Sequence, residues 1–188
     1  MTTSKNVISL EKKQTVNLTK ASDFLQKVKV RMSWVTPTNV FPKYDLDISA
    51  FLLGSDGKLL SDEGFIYFNQ DATPDRSVWK TEDELSGGFE ELYIDITKLS
   101  PAVSEISLIS TIHKAETRKQ SFDKVTNAKL EIFDQSDVLI ASFDLDTLAP
   151  GSWAIQIGSF YQTEEGFTFQ GIGTGFQLEL GAFYEGYK

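Results

Sequence analysis

Alternation of apolar and polar residues is the dominant pattern along this chain, and its two-residue period is that of a β-strand. It is clearest over residues 25–35, where Val28 and Val30 alternate with Lys27 and Lys29. Successive residues of a strand point to opposite faces of a sheet, so the pattern predicts a strand with one buried face. Shorter apolar or alternating runs predict further strands at residues 44–53, 65–68, 92–96, 106–112, 130–133, 138–145, 153–161 and 167–171.

The remaining segments predict short elements. Residues 7–20 alternate on both sides of a charged turn, which predicts a hairpin or a pair of edge strands. Residues 100–105 begin with Ser-Pro, a helix-start pattern, and residues 115–125 predict a loop or one or two helical turns. The glycine-rich end predicts a terminal strand and a short helix. Many strands without long helices indicate an all-β fold, a two-sheet antiparallel β-sandwich with one or two short helices.

Length and charge narrow the class of protein. A chain of 188 residues is long enough for one well-packed core, so we predict a single domain over residues 1–188. The net charge of −9 disfavours nucleic acid and anionic membranes as partners, because both attract basic surfaces. No apolar run approaches the roughly 20 residues of a membrane span, and the polar N-terminus lacks a secretory pattern. We therefore predict a cytoplasmic protein without direct membrane insertion.

An acidic stretch over residues 44–91 carries the candidate chemistry. Asp45 and Asp47 lie two apart on a predicted strand and share one face, where they repel unless a cation, a Lys or Arg partner or open water compensates. Calcium binds six to eight oxygen atoms from carboxylates, amides and carbonyls, whereas magnesium requires a tighter octahedron. Further oxygen donors in the stretch are Asn69, Asp71, Ser86, Gly87, Gly88, Glu90 and Glu91. A solvated acidic face explains the same composition.

The usual catalytic patterns are missing from the sequence. His113 is the only histidine, and the chain has neither a cysteine nor a Gly-x-Ser-x-Gly motif. The sequence therefore shows no pattern typical of an acyl-transfer enzyme. The glycine-rich run 171–176 lacks the βαβ frame of a dinucleotide site. We predict a non-enzymatic protein, and an acid–base enzyme using Asp45 and Asp47 is the least favoured alternative.

Several motifs resemble the TerD family of tellurium-resistance and stress proteins, and the resemblance covers nearly the whole chain. Its strongest part is Tyr-Asp-Leu-Asp-Ile-Ser-Ala-Phe-Leu-Leu-Gly-Ser-Asp-Gly from Tyr44, followed by Phe-Ile-Tyr-Phe-Asn-Gln from Phe65. Ile-Asp-Ile-Thr-Lys-Leu-Ser-Pro-Ala-Val from Ile94 resembles the middle of the family. The resemblance implies a β-sandwich that binds calcium through acidic loops. It also implies a role in bacterial resistance to tellurite and other chemical stress, without an established catalytic reaction.

The same resemblance assigns metal ligands. The Asp-Leu-Asp motif gives Asp45 and Asp47, and the Phe-Asn-Asn position gives Asn69 and Gln70. The family closes its site with a run such as Gly-Asp-Gly-Asp-Asp-Glu, where this chain has Ser-Gly-Gly-Phe-Glu-Glu over residues 86–91. Fewer carboxylates lower the affinity for a cation, and a second calcium ion is less favoured than the first. The ligand set is Asp45, Asp47, Asn69, Gln70, Ser86, Gly88, Glu90 and Glu91.

Two hypotheses follow. In the first, Ca²⁺ orders the acidic loops for binding to other stress-response or membrane-associated proteins. In the second, the chain is a metal-free structural or interaction module within a larger assembly, and Lys43 or another cation neutralises the aspartates.

Overall fold

The computed structural model describes residues 7–81, 88–146 and 149–188. Within these ranges, twelve strands and three short α-helices form the fold. The strands are β1 (Ile8–Leu10), β2 (Thr15–Asn17), β3 (Lys27–Val35), β4 (Leu46–Leu53), β5 (Phe65–Ile66), β6 (Val78–Lys80), β7 (Phe89–Asp95), β8 (Glu105–Ile112), β9 (Thr126–Asp134), β10 (Leu139–Asp144), β11 (Ala154–Thr163) and β12 (Gly166–Phe176). The helices are α1 (Leu18–Ala21), α2 (Ala115–Arg118) and α3 (Leu180–Tyr187).

Two six-stranded sheets make up the sandwich. The first sheet has the order β1-β10-β9-β3-β7-β6 and the second has the order β2-β12-β11-β8-β4-β5. Strand β1 runs parallel to β10, and the other pairs between these strands are antiparallel. The predicted all-β sandwich is confirmed, with three short helices rather than one or two.

The core lies between the sheets, and a second apolar cluster lies outside it. Val30 of β3 and Ile48 of β4 belong to the main core, and both are fully buried. Phe51 of β4 belongs instead to a cluster on the outer face of the second sheet, which α3 covers with Phe183. Strand β4 contributes Leu46, Ile48, Ala50 and Leu52 to the main core and Phe51 and Leu53 to the second cluster. All eight of its residues are buried.

Local predictions have mixed outcomes. Of the two alternatives predicted for residues 7–20, the pair of edge strands is confirmed, because β1 lies at the edge of the first sheet and β2 at the edge of the second. The helical start at Ser100 is a turn, in which the Ser100 hydroxyl accepts from the Ala102 amide at 3.2 Å. Residues 70–88 are polar and mostly without periodicity, which predicts a long loop, but strand β6 lies within them. Among the described residues, no helix has the length and apolar character needed to cross a membrane.

Candidate cation site

An incomplete sheet edge creates the candidate site. Strand β5 pairs with β4 only at Ala50 and Phe51, so the first half of β4 has no strand on that side among the residues that the structure describes. Strand β7 of the opposite sheet supplies the missing acceptor: the Glu90 carboxylate Oε2 accepts a hydrogen bond from the Ile48 amide at 2.6 Å. A buried backbone N–H needs such a partner. Glu90 therefore joins the two sheets at this edge.

A buried lysine lies next to this carboxylate. Lys80 ends β6, where Val78 and Lys80 are buried and Trp79 between them is partly exposed. The Lys80 ammonium Nζ lies 3.5 Å from Glu90 Oε1 and 4.0 Å from Asp47 Oδ1. Side-chain exposures are 2% for Lys80, 12% for Asp47 and 9% for Glu90. The three side chains, which we call the Lys80 triad, therefore interact away from bulk water.

The triad explains how two carboxylates lie buried at one edge. A charge transferred into a protein interior costs several kcal/mol unless a paired charge and hydrogen bonds compensate. Asp47 and Glu90 share the Lys80 ammonium, and Glu90 also holds the Ile48 amide. Lys80 therefore supplies a cation from within the chain to Asp47 and Glu90, whereas the predicted pair was Asp45 and Asp47.

Glu91 has a different environment from Glu90. As the next residue along β7, it points to the opposite face, where Arg31 donates to Oε1 from Nε at 2.8 Å and from Nη2 at 2.6 Å. The Tyr93 hydroxyl donates to Oε2 at 2.6 Å. Burial raises the pKa of Glu91, but the hydrogen bonds from Tyr93 and Arg31 outweigh it, and the net pKa is lowered. Burial and the Glu91 carboxylate raise the pKa of Tyr93 to about 12.

Two other predicted ligands lie apart from the triad. Asp45 is exposed just before β4, and its backbone carbonyl accepts from the His113 amide at 2.8 Å. Asn69 is exposed in the turn after β5. The structure therefore brings together Asp47 and Glu90 from the predicted set.

The last three predicted ligands contribute to loop structure or lie outside the described ranges. Gln70 donates from Nε2 to the backbone carbonyls of Phe65 at 2.6 Å and Asp62 at 3.1 Å, which holds its own turn. The Gly88 carbonyl accepts from the Trp34 amide at 2.7 Å. A Cβ at Gly88 would lie 2.6 Å from the Trp34 carbonyl oxygen, so this close approach requires glycine. Ser86 lies outside the described residues.

The described residues do not fit a calcium cage. Calcium needs six to eight oxygen ligands, whereas an ammonium adjoins both Asp47 and Glu90. Within residues 7–81, 88–146 and 149–188, no group of three or more His, Cys, Asp or Glu side chains could hold a metal ion. Calcium binding by this chain stays a prediction.

Sequence reasoning missed Lys80. Its signal was the alternation in Val-Trp-Lys, which places Lys80 on the same face as the apolar Val78. A lysine on the apolar face of a strand needs a buried counter-charge, and the acidic stretch was the nearest source.

Comparison with known proteins identifies the class to which this sandwich belongs. Residues 7–187 match the TerD domain. The chain is 33% identical over 174 residues to the tellurium resistance protein TerD of Serratia marcescens, covering 90% of this chain and 91% of that protein. It is 34% identical over 178 residues to general stress protein 16U of Bacillus subtilis (strain 168), with coverages of 90% and 91%.

A solved structure agrees on the fold. A homologue of the telluride resistance protein TerD from Streptomyces coelicolor A3(2) superposes with a TM-score of 0.69 at 21% identity, covering 85% of this chain and 95% of that one. The chain belongs to the TerD family, as its motifs indicated.

Proposed function

We propose that this chain is a non-enzymatic stress-response protein that acts in resistance to tellurite and related chemical stress. We further propose that it works as an interaction module with a built-in cation in place of a metal ion. The position of Lys80 supports the proposal of a built-in cation, because its ammonium lies 3.5 Å from Glu90 and 4.0 Å from Asp47. The metal-free hypothesis from the sequence is therefore the one that the geometry favours, with Lys80 rather than Lys43 as the cation.

A tethered ammonium has an advantage over a free metal ion at this position. Lys80 is attached to β6 and is present at a high effective concentration at all times. A calcium ion would have to displace the ammonium from both carboxylates or accept its repulsion at close range. The triad thus maintains the edge of the sandwich without a metal ion.

The relatives support the cellular role. Two of them are named for tellurium resistance and general stress, and we extend that role to this chain. We propose that it acts in the cytoplasm on other stress-response or membrane-associated proteins. Asp45 is exposed while Asp47 is buried. This difference does not favour the alternative in which the two aspartates act together as an acid–base pair.

Expression of the chain in a tellurite-sensitive bacterium is expected to raise survival on tellurite, and Asp47→Asn is expected to remove most of the gain. The substitution leaves the Lys80 ammonium with weaker compensation in a buried position. Asp45→Asn is the matched control and should keep the protection, because Asp45 is exposed. Colony counts are compared at equal abundance of the soluble protein.

Two results would count against the proposal. Unchanged survival on expression of the wild-type chain would contradict the stress-response role. Equal loss of protection by Asp45→Asn and Asp47→Asn would contradict the importance of the Lys80 triad.

A further inference from the structure

A surface at one end of the sandwich combines exposed apolar side chains with a group of cations. It is formed by the loop of residues 36–45, which joins β3 to β4, and by α2 with the residues on either side of it. We call this surface the basic tip and define it by Val40, Phe41, Lys43, Lys114, Arg118 and Lys119.

Two hydrogen bonds hold the loop against the α2 segment. The Gln120 side chain donates from Nε2 to the Pro42 carbonyl at 2.7 Å, and Gln120 is buried. The His113 amide donates to the Asp45 carbonyl at 2.8 Å. Because these contacts come from both sides of α2, the loop and the helix form one surface, and Phe41 lies on it next to Pro42.

Phe41 protrudes from this surface. It is 93% exposed, and the neighbouring Val40 is 38% exposed. A single exposed apolar residue is common on soluble proteins, so its surroundings decide what it can bind. A side chain with so few protein contacts fills no groove of this chain, but it is free to enter a soft apolar–polar boundary such as the headgroup region of a bilayer.

The four cations of the basic tip form no ion pair with any residue that the structure describes. All three lysines are exposed, and Arg118 is partly exposed. The exposed carboxylates beside them belong to Asp45, at the end of the loop, and Glu116, in α2. Cations therefore outnumber carboxylates on this surface.

The local charge differs in sign from the charge of the whole chain. The net charge of −9 disfavours an anionic membrane for the chain as a whole, but charges are screened over about 8 Å at physiological ionic strength. Acidic residues farther away than that contribute little to a contact at the basic tip. A Lys or Arg close to an anionic leaflet strengthens binding about fivefold.

We propose that the basic tip binds the surface of an anionic lipid membrane, with Phe41 entering the headgroup region and the lysines contacting lipid phosphates. An exposed aromatic side chain next to unpaired cations has the chemistry that such a boundary binds. The contact is peripheral and reversible, because one aromatic residue and four cations hold far less firmly than a membrane span. The proposal goes beyond the stress-response role and does not depend on the Lys80 triad.

Sedimentation of the full chain with vesicles tests the proposal. We expect binding to vesicles of phosphatidylglycerol and phosphatidylcholine at low salt, weaker binding as salt rises, and little binding to phosphatidylcholine alone. Replacing both Lys114 and Lys119 with glutamine is expected to lower the apparent affinity roughly 25-fold. Phe41→Ser is expected to lower it roughly tenfold, because it removes the large apolar side chain that enters the headgroup region.

Phe24 supplies the matched control. It is 92% exposed, close to the value for Phe41, but it precedes the other end of β3 and follows Asp23. Phe24→Ser should therefore bind vesicles as the wild-type chain does. Unchanged melting temperatures of the variants would verify their folds.

Four outcomes overturn the proposal. Three of them are no binding to phosphatidylglycerol vesicles at low salt, equal losses for Phe24→Ser and Phe41→Ser, and unchanged affinity of the chain with both lysines replaced. The fourth is binding of a polyglutamate peptide at the basic tip without binding to vesicles, which would make an acidic protein segment the occupant. Vesicle binding is measured without tellurite, so its failure is distinguishable from a failure of the stress-response role.

Discussion

Replacing Lys80 with methionine is expected to lower the free energy of unfolding by about 3–5 kcal/mol, the range for removing one partner of a buried ion pair. Methionine has nearly the length of lysine, so it keeps the packing of β6 and removes the charge. Asp47 and Glu90 then lie buried without the ammonium that adjoins both of them. Urea denaturation of the wild-type and K80M chains measures the difference.

A surface lysine supplies the control for this prediction. Lys27 also pairs with a buried carboxylate, Asp95, at 3.5 Å, but the Lys27 side chain is 52% exposed. Exposed pairs contribute about 0–1 kcal/mol, so Lys27→Met should cost far less. Equal costs for Lys80→Met and Lys27→Met would contradict the triad.

Gly158→Ala is expected to destabilise the sandwich by about 3 kcal/mol, the upper part of the range for overpacking a core. Gly158 lies in β11, next to a register shift between β11 and both of its neighbours. A Cβ at this position would lie 2.5 Å from the Gln170 carbonyl oxygen and 2.5 Å from Cζ of Phe169. The carbonyl belongs to the sheet backbone and the fully buried Phe169 belongs to the core, so neither can move freely.

The same substitution at Gly186 is expected to stabilise the protein or leave its stability unchanged. Gly186 lies in α3 and an added Cβ meets nothing within 4 Å, so alanine favours the helix by up to about 1 kcal/mol. Thermal unfolding should therefore show a lower melting temperature for Gly158→Ala and an unchanged or higher one for Gly186→Ala. A Gly158→Ala chain as stable as the wild type would show that β11 and β12 can separate locally at no cost.

The sandwich was predictable because its strands alternate strongly. The pattern of Val28, Val30 and Met32 predicted β3, and the structure buries all three completely. Which strands share a sheet was not predictable, since that depends on long-range pairing. Strands β1 and β2 are neighbours in sequence and belong to different sheets. Strand β6 was missed because it has only three residues and follows a polar turn.

The candidate site was predicted only in part. Asp47 and Glu90 were both predicted from the sequence as ligands. They lie far apart in the sequence, and both adjoin the Lys80 ammonium in the structure. The cation between them belongs to β6, in a stretch where the sequence predicts a loop. Composition grouped Glu90 with Glu91, whereas the alternation of a strand separates them: one enters the triad and the other pairs with Arg31. The alternation of residues along a strand would therefore have predicted that Glu90 and Glu91 lie on opposite faces.

A crystal structure of the wild-type chain grown in millimolar calcium tests the central claim most directly, because it shows which atom lies between Asp47 and Glu90. We expect electron density continuous with the Lys80 side chain, with Nζ near the distances of 3.5 Å to Glu90 and 4.0 Å to Asp47. An isolated peak with oxygen ligands at about 2.3–2.6 Å, and Lys80 turned away from both carboxylates, would contradict the claim and identify the site as a calcium centre.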